Sequence, residues 1–127
     1  MDVSETDWKQ KLTPEQYHVL REGGTEAPYT GELLNNEQAG MYTCAACGNQ
    51  LFDSGTKFPT YDGWPDFYQA IPGSVTFHED ASHGMKRTEV RCAKCGSHLG
   101  HVFGDAPEQP TGQRFCINSA ALKFTAK

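Results

Sequence analysis

Five cysteines and a closely spaced pair of histidines carry most of the chemistry open to this chain. Cys44-Ala45-Ala46-Cys47-Gly48 and Cys92-Ala93-Lys94-Cys95-Gly96 repeat one pattern, two thiols three apart followed by glycine. The glycine permits a tight turn in which backbone amides face the sulfurs, so each pair reads as half of a metal site. Joined, Cys44, Cys47, Cys92 and Cys95 form a closed four-thiolate set. That points to one structural zinc per chain rather than a catalytic metal, which needs an open position. Four unrelated thiols or a redox Cys-x-x-Cys are the alternatives. The long separation between the pairs is tolerable because loop-closure entropy grows only logarithmically.

The fifth cysteine stands apart. In Arg114-Phe115-Cys116-Ile117-Asn118 the apolar residues alternate with the others, and a strand's two-residue period sends the two sets to opposite faces. Cys116 then faces outward, with the Arg114 guanidinium about 7 Å along the strand, which favours thiolate over thiol. This is a nucleophile's setting, with a half-buried packing cysteine as the plainer alternative. His98 and His101 are three apart and would face opposite ways on an unbroken strand. Gly100 between them permits a bulge that brings both rings together. Beside Cys116 they offer protons to a leaving oxygen, while either one alone is as readily a structural histidine. His78 and His83 lie in an acidic, turn-rich stretch and read as solvated. Gly63-Trp64-Pro65-Asp66-Phe67-Tyr68 gathers three aromatics in a proline-bent loop. Trp64 and Phe67 are therefore candidates to wall a small substrate pocket, or else members of the core.

The elements that must position these groups are short. Thr13-Pro14-Glu15-Gln16 combines a capping hydroxyl, a proline at the first helical position and a glutamine three after the cap, which opens a helix running to about Arg21. Gly23-Gly24 stops it, and Trp8 and Leu12 suggest a preceding helical turn. From Met41 onward, short apolar pieces separated by Gly, Pro, Asp and Ser predict strands at 41–44, 75–78, 87–92, 98–103, 114–117 and 121–124. Residues 104–113, with two prolines and two glycines, must be a loop.

Composition narrows the function classes. A chain of 127 residues suits one domain over 1–127. No apolar run approaches the roughly 18 residues of a membrane span, so a soluble protein without membrane contact is expected. The formal charge of −5 would fall further with four thiolates around a divalent cation, which disfavours nucleic acid as a partner. The acidic start lacks the basic-then-apolar pattern of a secretory signal, and the odd cysteine count suits a reducing compartment, so a cytoplasmic address is expected.

Several longer motifs resemble the peptide methionine-R-sulfoxide reductases of the B type. They are Gly84-Met85-Lys86-Arg87-Thr88-Glu89-Val90-Arg91-Cys92, His98-Leu99-Gly100-His101-Val102-Phe103, Pro110-Thr111-Gly112 and Arg114-Phe115-Cys116-Ile117-Asn118-Ser119. Leu12-Thr13-Pro14-Glu15-Gln16-Tyr17 and Leu51-Phe52-Asp53-Ser54 extend the likeness over nearly the whole chain. The resemblance implies a mainly β fold of two antiparallel β-sheets with short N-terminal helices, and a four-cysteine zinc distant from the reaction centre. It implies that Cys116 is the nucleophile and that His98 and His101 are active-site histidines. Arg114 and Asn118 then flank the nucleophile, Trp64 walls a methyl pocket, and Asp105 supports substrate binding.

The reaction so implied reduces the R epimer of peptide-bound methionine sulfoxide, leaving Cys116 as a sulfenic acid, the first and reversible rung of thiol oxidation. The implied partners are oxidised proteins and a recycling reductant, either a thioredoxin-like protein or a small thiol, with a monomer expected. Many members carry a resolving cysteine just before Gly-Trp-Pro, where this chain has Asp62. Tyr61 replaces a usual glycine and Asp66 a usual serine. With four cysteines committed to zinc, no internal partner for Cys116 remains. The competing class is a zinc-anchored β-tent binding module without catalysis, which would need the zinc and Trp64 but has no use for Cys116 or the histidine pair.

Overall fold

The computed structural model describes residue 8 and residues 10–59, 62–81 and 84–126. The Leu12 amide donates to the Trp8 carbonyl at 2.9 Å, closing the helical turn expected there. The Thr13 hydroxyl then accepts from the Gln16 amide at 3.1 Å, and the Gln16 side chain accepts from the Thr13 amide at 2.9 Å. This reciprocal cap, with Pro14 in the first turn, starts helix α1 (Pro14–Glu22). Gly23 ends it at φ 72°, in the left-handed region where glycine carries no Cβ penalty. Val19 and Leu20 are buried. Arg21 donates to the Cys95 carbonyl at 3.0 Å and its guanidinium lies 5.1 Å from the Trp8 ring centre, so α1 is fastened directly to the second cysteine knuckle.

Among the described residues eight strands follow: β1 (Gly40–Cys44), β2 (Gln50–Asp53), β3 (Asp66–Phe67), β4 (Val75–Asp80), β5 (Arg87–Cys92), β6 (His98–Phe103), β7 (Arg114–Ile117) and β8 (Leu122–Ala126). They form two antiparallel sheets, ordered β2-β1-β8 and β3-β7-β6-β5-β4. The mainly β, two-sheet architecture expected from the sequence is therefore present. β2 and β3 were not expected as strands. The last strand also starts later than residue 121, because Ser119–Ala121 forms a 3-10 turn first. His78 lies in β4 rather than in a turn; it is half-buried and bonded to the Thr76 hydroxyl at 2.8 Å. His83 and Tyr61 lie outside the described residues.

Aromatic side chains from both sheets meet between them. The Phe52 ring stacks on Phe67 at 4.4 Å and meets Phe115 edge-on at 5.8 Å, while Tyr42 meets Phe67 edge-on at 5.1 Å. Phe67 is 0% exposed. The sequence offered it as a substrate-pocket residue; the structure assigns it to this core, because the two-residue strand β3 turns Phe67 inward opposite Phe115. Among the described residues, no helix is long and apolar enough to cross a membrane.

Candidate active site

The two cysteine knuckles are the turns of two β-hairpins, β1–β2 and β5–β6. Their backbones are alike. Cys44 and Cys92 each donate an amide to a carbonyl five residues on, at 2.8 and 2.9 Å. Gly48 and Gly96 each donate back to the cysteine carbonyl at 2.8 Å, at φ 81° and 75°. The hairpins present their thiols to each other, and all four Sγ atoms lie within 4.8 Å of one another. Across the hairpins Cys44 and Cys95 are 3.7 Å apart, and Cys47 and Cys92 3.6 Å. A tetrahedral ion about 2.3 Å from each sulfur requires sulfurs roughly 3.8 Å apart. The donor set and its spacing thus fit a four-coordinate metal.

The second hairpin leads straight into the histidines. In the β5–β6 register Arg91 pairs with His98 while Val90 pairs with Gly100, so Leu99 is an extra residue in β6. This bulge is the device the sequence suggested. It puts His98 and His101 on one face, with ring centres 5.5 Å apart. Gly100 has a further reason to be glycine, since a Cβ there would collide with the Cys116 carbonyl and force β6 away from β7.

Register then builds a row of reactive groups across the sheet. Cys116 faces Asp66 on β3 and His101 on β6, His101 faces Glu89 on β5, and Glu89 faces His78 on β4. Each histidine is held by a carboxylate: His98 Nδ1 lies 2.6 Å from Glu89 Oε2, and His101 Nε2 lies 2.7 Å from Asp80 Oδ2. Burial lowers the His98 imidazole, against the raising effect of Glu89. Burial raises the Glu89 carboxyl, but Arg91 and His98 outweigh it and hold the group below the usual carboxylate range.

Cys116, His101, Trp64, Asn118 and Arg114 line one cavity of about 160 Å³, together with Phe103 and Arg87. This is small beside the ~300–1,000 Å³ of drug-sized sites and suits the end of one side chain. His98 does not line it and sits behind His101. The Trp64 indole donates to the Glu26 carbonyl at 3.0 Å, which fixes that wall. A larger cavity of about 500 Å³ lies beyond Trp64 and contains none of the cysteines or histidines.

Arg114 does not act on Cys116 alone. Its guanidinium forks onto Asp105 with two bonds of 3.0 Å, lies 2.6 Å from Asp62 and 3.6 Å from Asp66, and sits over the Phe103 ring at 4.6 Å. Asp105 therefore bonds Arg114 and does not line the cavity. Burial pushes the Cys116 thiol far above the ordinary cysteine value; Asp66 and Asp62 add to this, and Arg114 opposes them less strongly. Arg114 does favour the thiolate, as expected from the sequence, but burial first and the Asp66 and Asp62 carboxylates next outweigh it, so Cys116 is not a ready thiolate.

Asn118 is 4% exposed and braces the site. Its amide donates to the Leu99 carbonyl at 3.1 Å and accepts from the Glu26 amide at 3.0 Å. Glu26, which no motif in the sequence marks, is buried and accepts from the Ser119 and Ala120 amides at 2.9 and 2.8 Å. Burial raises its carboxyl. Arg87, Glu89 and Asp80 are further site residues beyond those expected from the sequence. The alternation of Arg87, Glu89 and Arg91 along β5 is the signal that could have found the first two, as it marks a charged face on the strand beside the histidines.

Comparison with known proteins agrees with this geometry. The SelR domain model matches residues 12–126. A peptide methionine sulfoxide reductase MsrB from Methanosarcina mazei is 61% identical over 98% of this chain and 89% of its own length. One of the same name from Leptospira interrogans is 58% identical over 98% and 95%. The Mis18 'Yippee-like' domain superposes with a TM-score of 0.54 at 18% identity, covering 71% of this chain and 98% of that one, which shows shared fold alone. On the family model and these identities, the chain belongs to the SelR-domain family.

Proposed function

We propose that this protein is a single-domain, monomeric peptide-methionine-R-sulfoxide reductase with Cys116 as its nucleophile. The observation that carries the reading is the placement of Cys116 directly opposite His101, both lining a cavity walled by Trp64. The names of its relatives support the substrate class. Trp64 packs the methyl end of the sulfoxide and excludes water there. The Cys116 sulfur attacks the sulfoxide sulfur, the S–O bond of the substrate breaks, and the oxygen ends on Cys116 as sulfenic acid with methionine released. The thiol proton finishes on that oxygen, so the step needs no external proton. His101 mediates the transfer, supported by His98, and Asn118 and Arg114 keep the nucleophile's surroundings in register.

Cys44, Cys47, Cys92 and Cys95 hold zinc in this reading, a closed set that cross-links the two hairpins and leaves no position for substrate. A thioredoxin-like protein or a small thiol reduces the sulfenic acid. The binding-module alternative uses the clamp and Trp64 but gives the Cys116–His101 pair no task. Supplying each sulfoxide epimer of an N-capped methionine with a dithiol, and following loss of sulfoxide, tests the proposal. Turnover of the R epimer alone is expected, and turnover of neither or of the S epimer alone overturns it.

A further inference from the structure

The two histidines are held by opposite nitrogens. Glu89 Oε2 engages His98 through Nδ1 at 2.6 Å, and Asp80 Oδ2 engages His101 through Nε2 at 2.7 Å. Each carboxylate is backed by an arginine. Arg91 donates through Nε to Glu89 Oε1 at 2.8 Å, with its Nη2 also 2.8 Å away, and Arg87 Nη2 lies 3.4 Å from Asp80 Oδ2. The two sets share one face, and both draw their arginine from β5.

A neutral imidazole can carry its proton on either nitrogen, and the hydrogen bond at one nitrogen decides the state of the other. An ionised carboxylate is an acceptor only, so the nitrogen it faces must bear the proton. We propose that Glu89 and Asp80 are positioning residues that fix His98 and His101 in opposite tautomers, leaving Nδ1 of His101 unprotonated for the reaction and Nε2 of His98 unprotonated behind it. His98 Nε2 is buried and has no hydrogen-bond partner among the described residues, in keeping with a nitrogen left open.

The inference rests on the proposed reductase reading and gives His101 a defined task within it. With its proton on Nε2, its Nδ1 lone pair takes the Cys116 thiol proton as the sulfur attacks, and returns that proton to the departing sulfoxide oxygen. One S–H bond and the substrate S–O bond break, and one S–O and one O–H bond form, so atoms and electrons balance within thiol and sulfoxide. The arginines keep each carboxylate aimed at its imidazole.

Long-range 1H–15N correlation spectra of the intact, imidazole-15N-labelled protein at pH 8 read the tautomers directly. His98 protonated at Nδ1 and His101 protonated at Nε2 are expected, and a shared tautomer or an even mixture overturns the proposal. The spectra need no substrate, so they decide the point even where the reductase reading fails. In turnover, Asp80→Ala and Glu89→Ala should lower kcat about 10–100-fold with KM changed less than about threefold. Asp80→Asn and Glu89→Gln, whose amide oxygens accept the same N–H, should recover most of that loss. Amide variants no better than the alanine ones overturn positioning by hydrogen bond. Should an alanine variant not fold, the native spectra and the amide variants still decide.

Discussion

Asp66 and Cys116 sit directly opposite each other on β3 and β7, and the carboxylate is almost wholly buried. Burial is the main reason the nucleophile rests as a thiol, and a negative charge so placed adds to it by disfavouring a second one on sulfur. Asp66→Asn should therefore speed alkylation of Cys116 at pH 7.5. A one-unit fall in thiol pKa gives tenfold more thiolate, partly offset by weaker nucleophilicity, so the net gain is roughly 3–30-fold for one to three units. The native thiol should label slowly across neutral pH. The raised value also has a sign for stability: the native chain keeps a proton that the unfolded thiol loses near pH ~8.5. That contribution is present in full below this value and is lost as pH rises toward the folded one. An unchanged alkylation rate in Asp66→Asn would remove Asp66 from the account.

Replacing the nucleophile and its partner separates chemistry from fold. Cys116→Ser keeps the shape of a half-buried site and should abolish reduction, because serine is a far poorer nucleophile at neutral pH. His101→Ala should lower the rate roughly 100-fold or more through loss of proton transfer. Full activity in the serine variant would sink the mechanism, and circular dichroism of both variants checks that the fold survives.

The cysteine clamp should be indispensable to folding. Structural zinc sites contribute an apparent ~10–16 kcal/mol, as much as the whole stability of an ordinary domain at ~5–15 kcal/mol. Chelation, or Cys44→Ser, should therefore unfold the β1–β2 and β5–β6 hairpins and with them the histidine bulge. One zinc per chain is expected on metal analysis. Correctly folded protein without metal would refute this.

Glu26 offers a stability test that leaves the metal ligands untouched. Its two oxygens satisfy the Ser119 and Ala120 amides at the start of the 3-10 turn that carries the chain from one sheet to the other. Glu26→Ala strands the buried Ser119 donor and the part-buried Ala120 donor at about 1–3 kcal/mol each, so a loss of roughly 2–6 kcal/mol is expected. Denaturant unfolding measures it, with the midpoint falling at unchanged slope.

What the sequence disclosed follows from range. β5, its knuckle and β6 were legible because alternation, a Cys-x-x-Cys-Gly turn and a histidine pair lie within one continuous stretch. β2 was not, since Leu51 and Phe52 are adjacent and both buried, which breaks strand periodicity. The likeness of the two knuckles could have supplied it, as the first must also be the turn of a hairpin. β3 is two residues long and exists through its pairing with β7 and a bridge from Phe67 to Lys57, contacts no local pattern announces. The same range limit hid the chemistry of Arg114. Cys116 and Arg114 are sequence neighbours, but Asp62 and Asp66, which share the guanidinium's charge, arrive from far upstream.

The recycling step is constrained by the number and placement of thiols. The chain has five cysteines, and four of them converge on one another at the hairpin turns. Bound to a metal they are held and shielded, and are poor attackers of a sulfenic acid. Asp62, where a resolving cysteine would stand in many relatives, is instead bonded to Arg114 at 2.6 Å and has no redox chemistry to offer. After one equivalent of R-sulfoxide without reductant, Cys116 should therefore persist as the sulfenic acid, seen by mass spectrometry as a gain of one oxygen or as a dimedone adduct. Added thiol should return it to the starting mass through a mixed disulfide. Asp62→Asn should leave this product unchanged and hasten its reduction by anionic thiols, because one like charge has left the approach. An intrachain disulfide accompanied by loss of zinc would show that a knuckle cysteine can reach Cys116, and would overturn the single-thiol cycle.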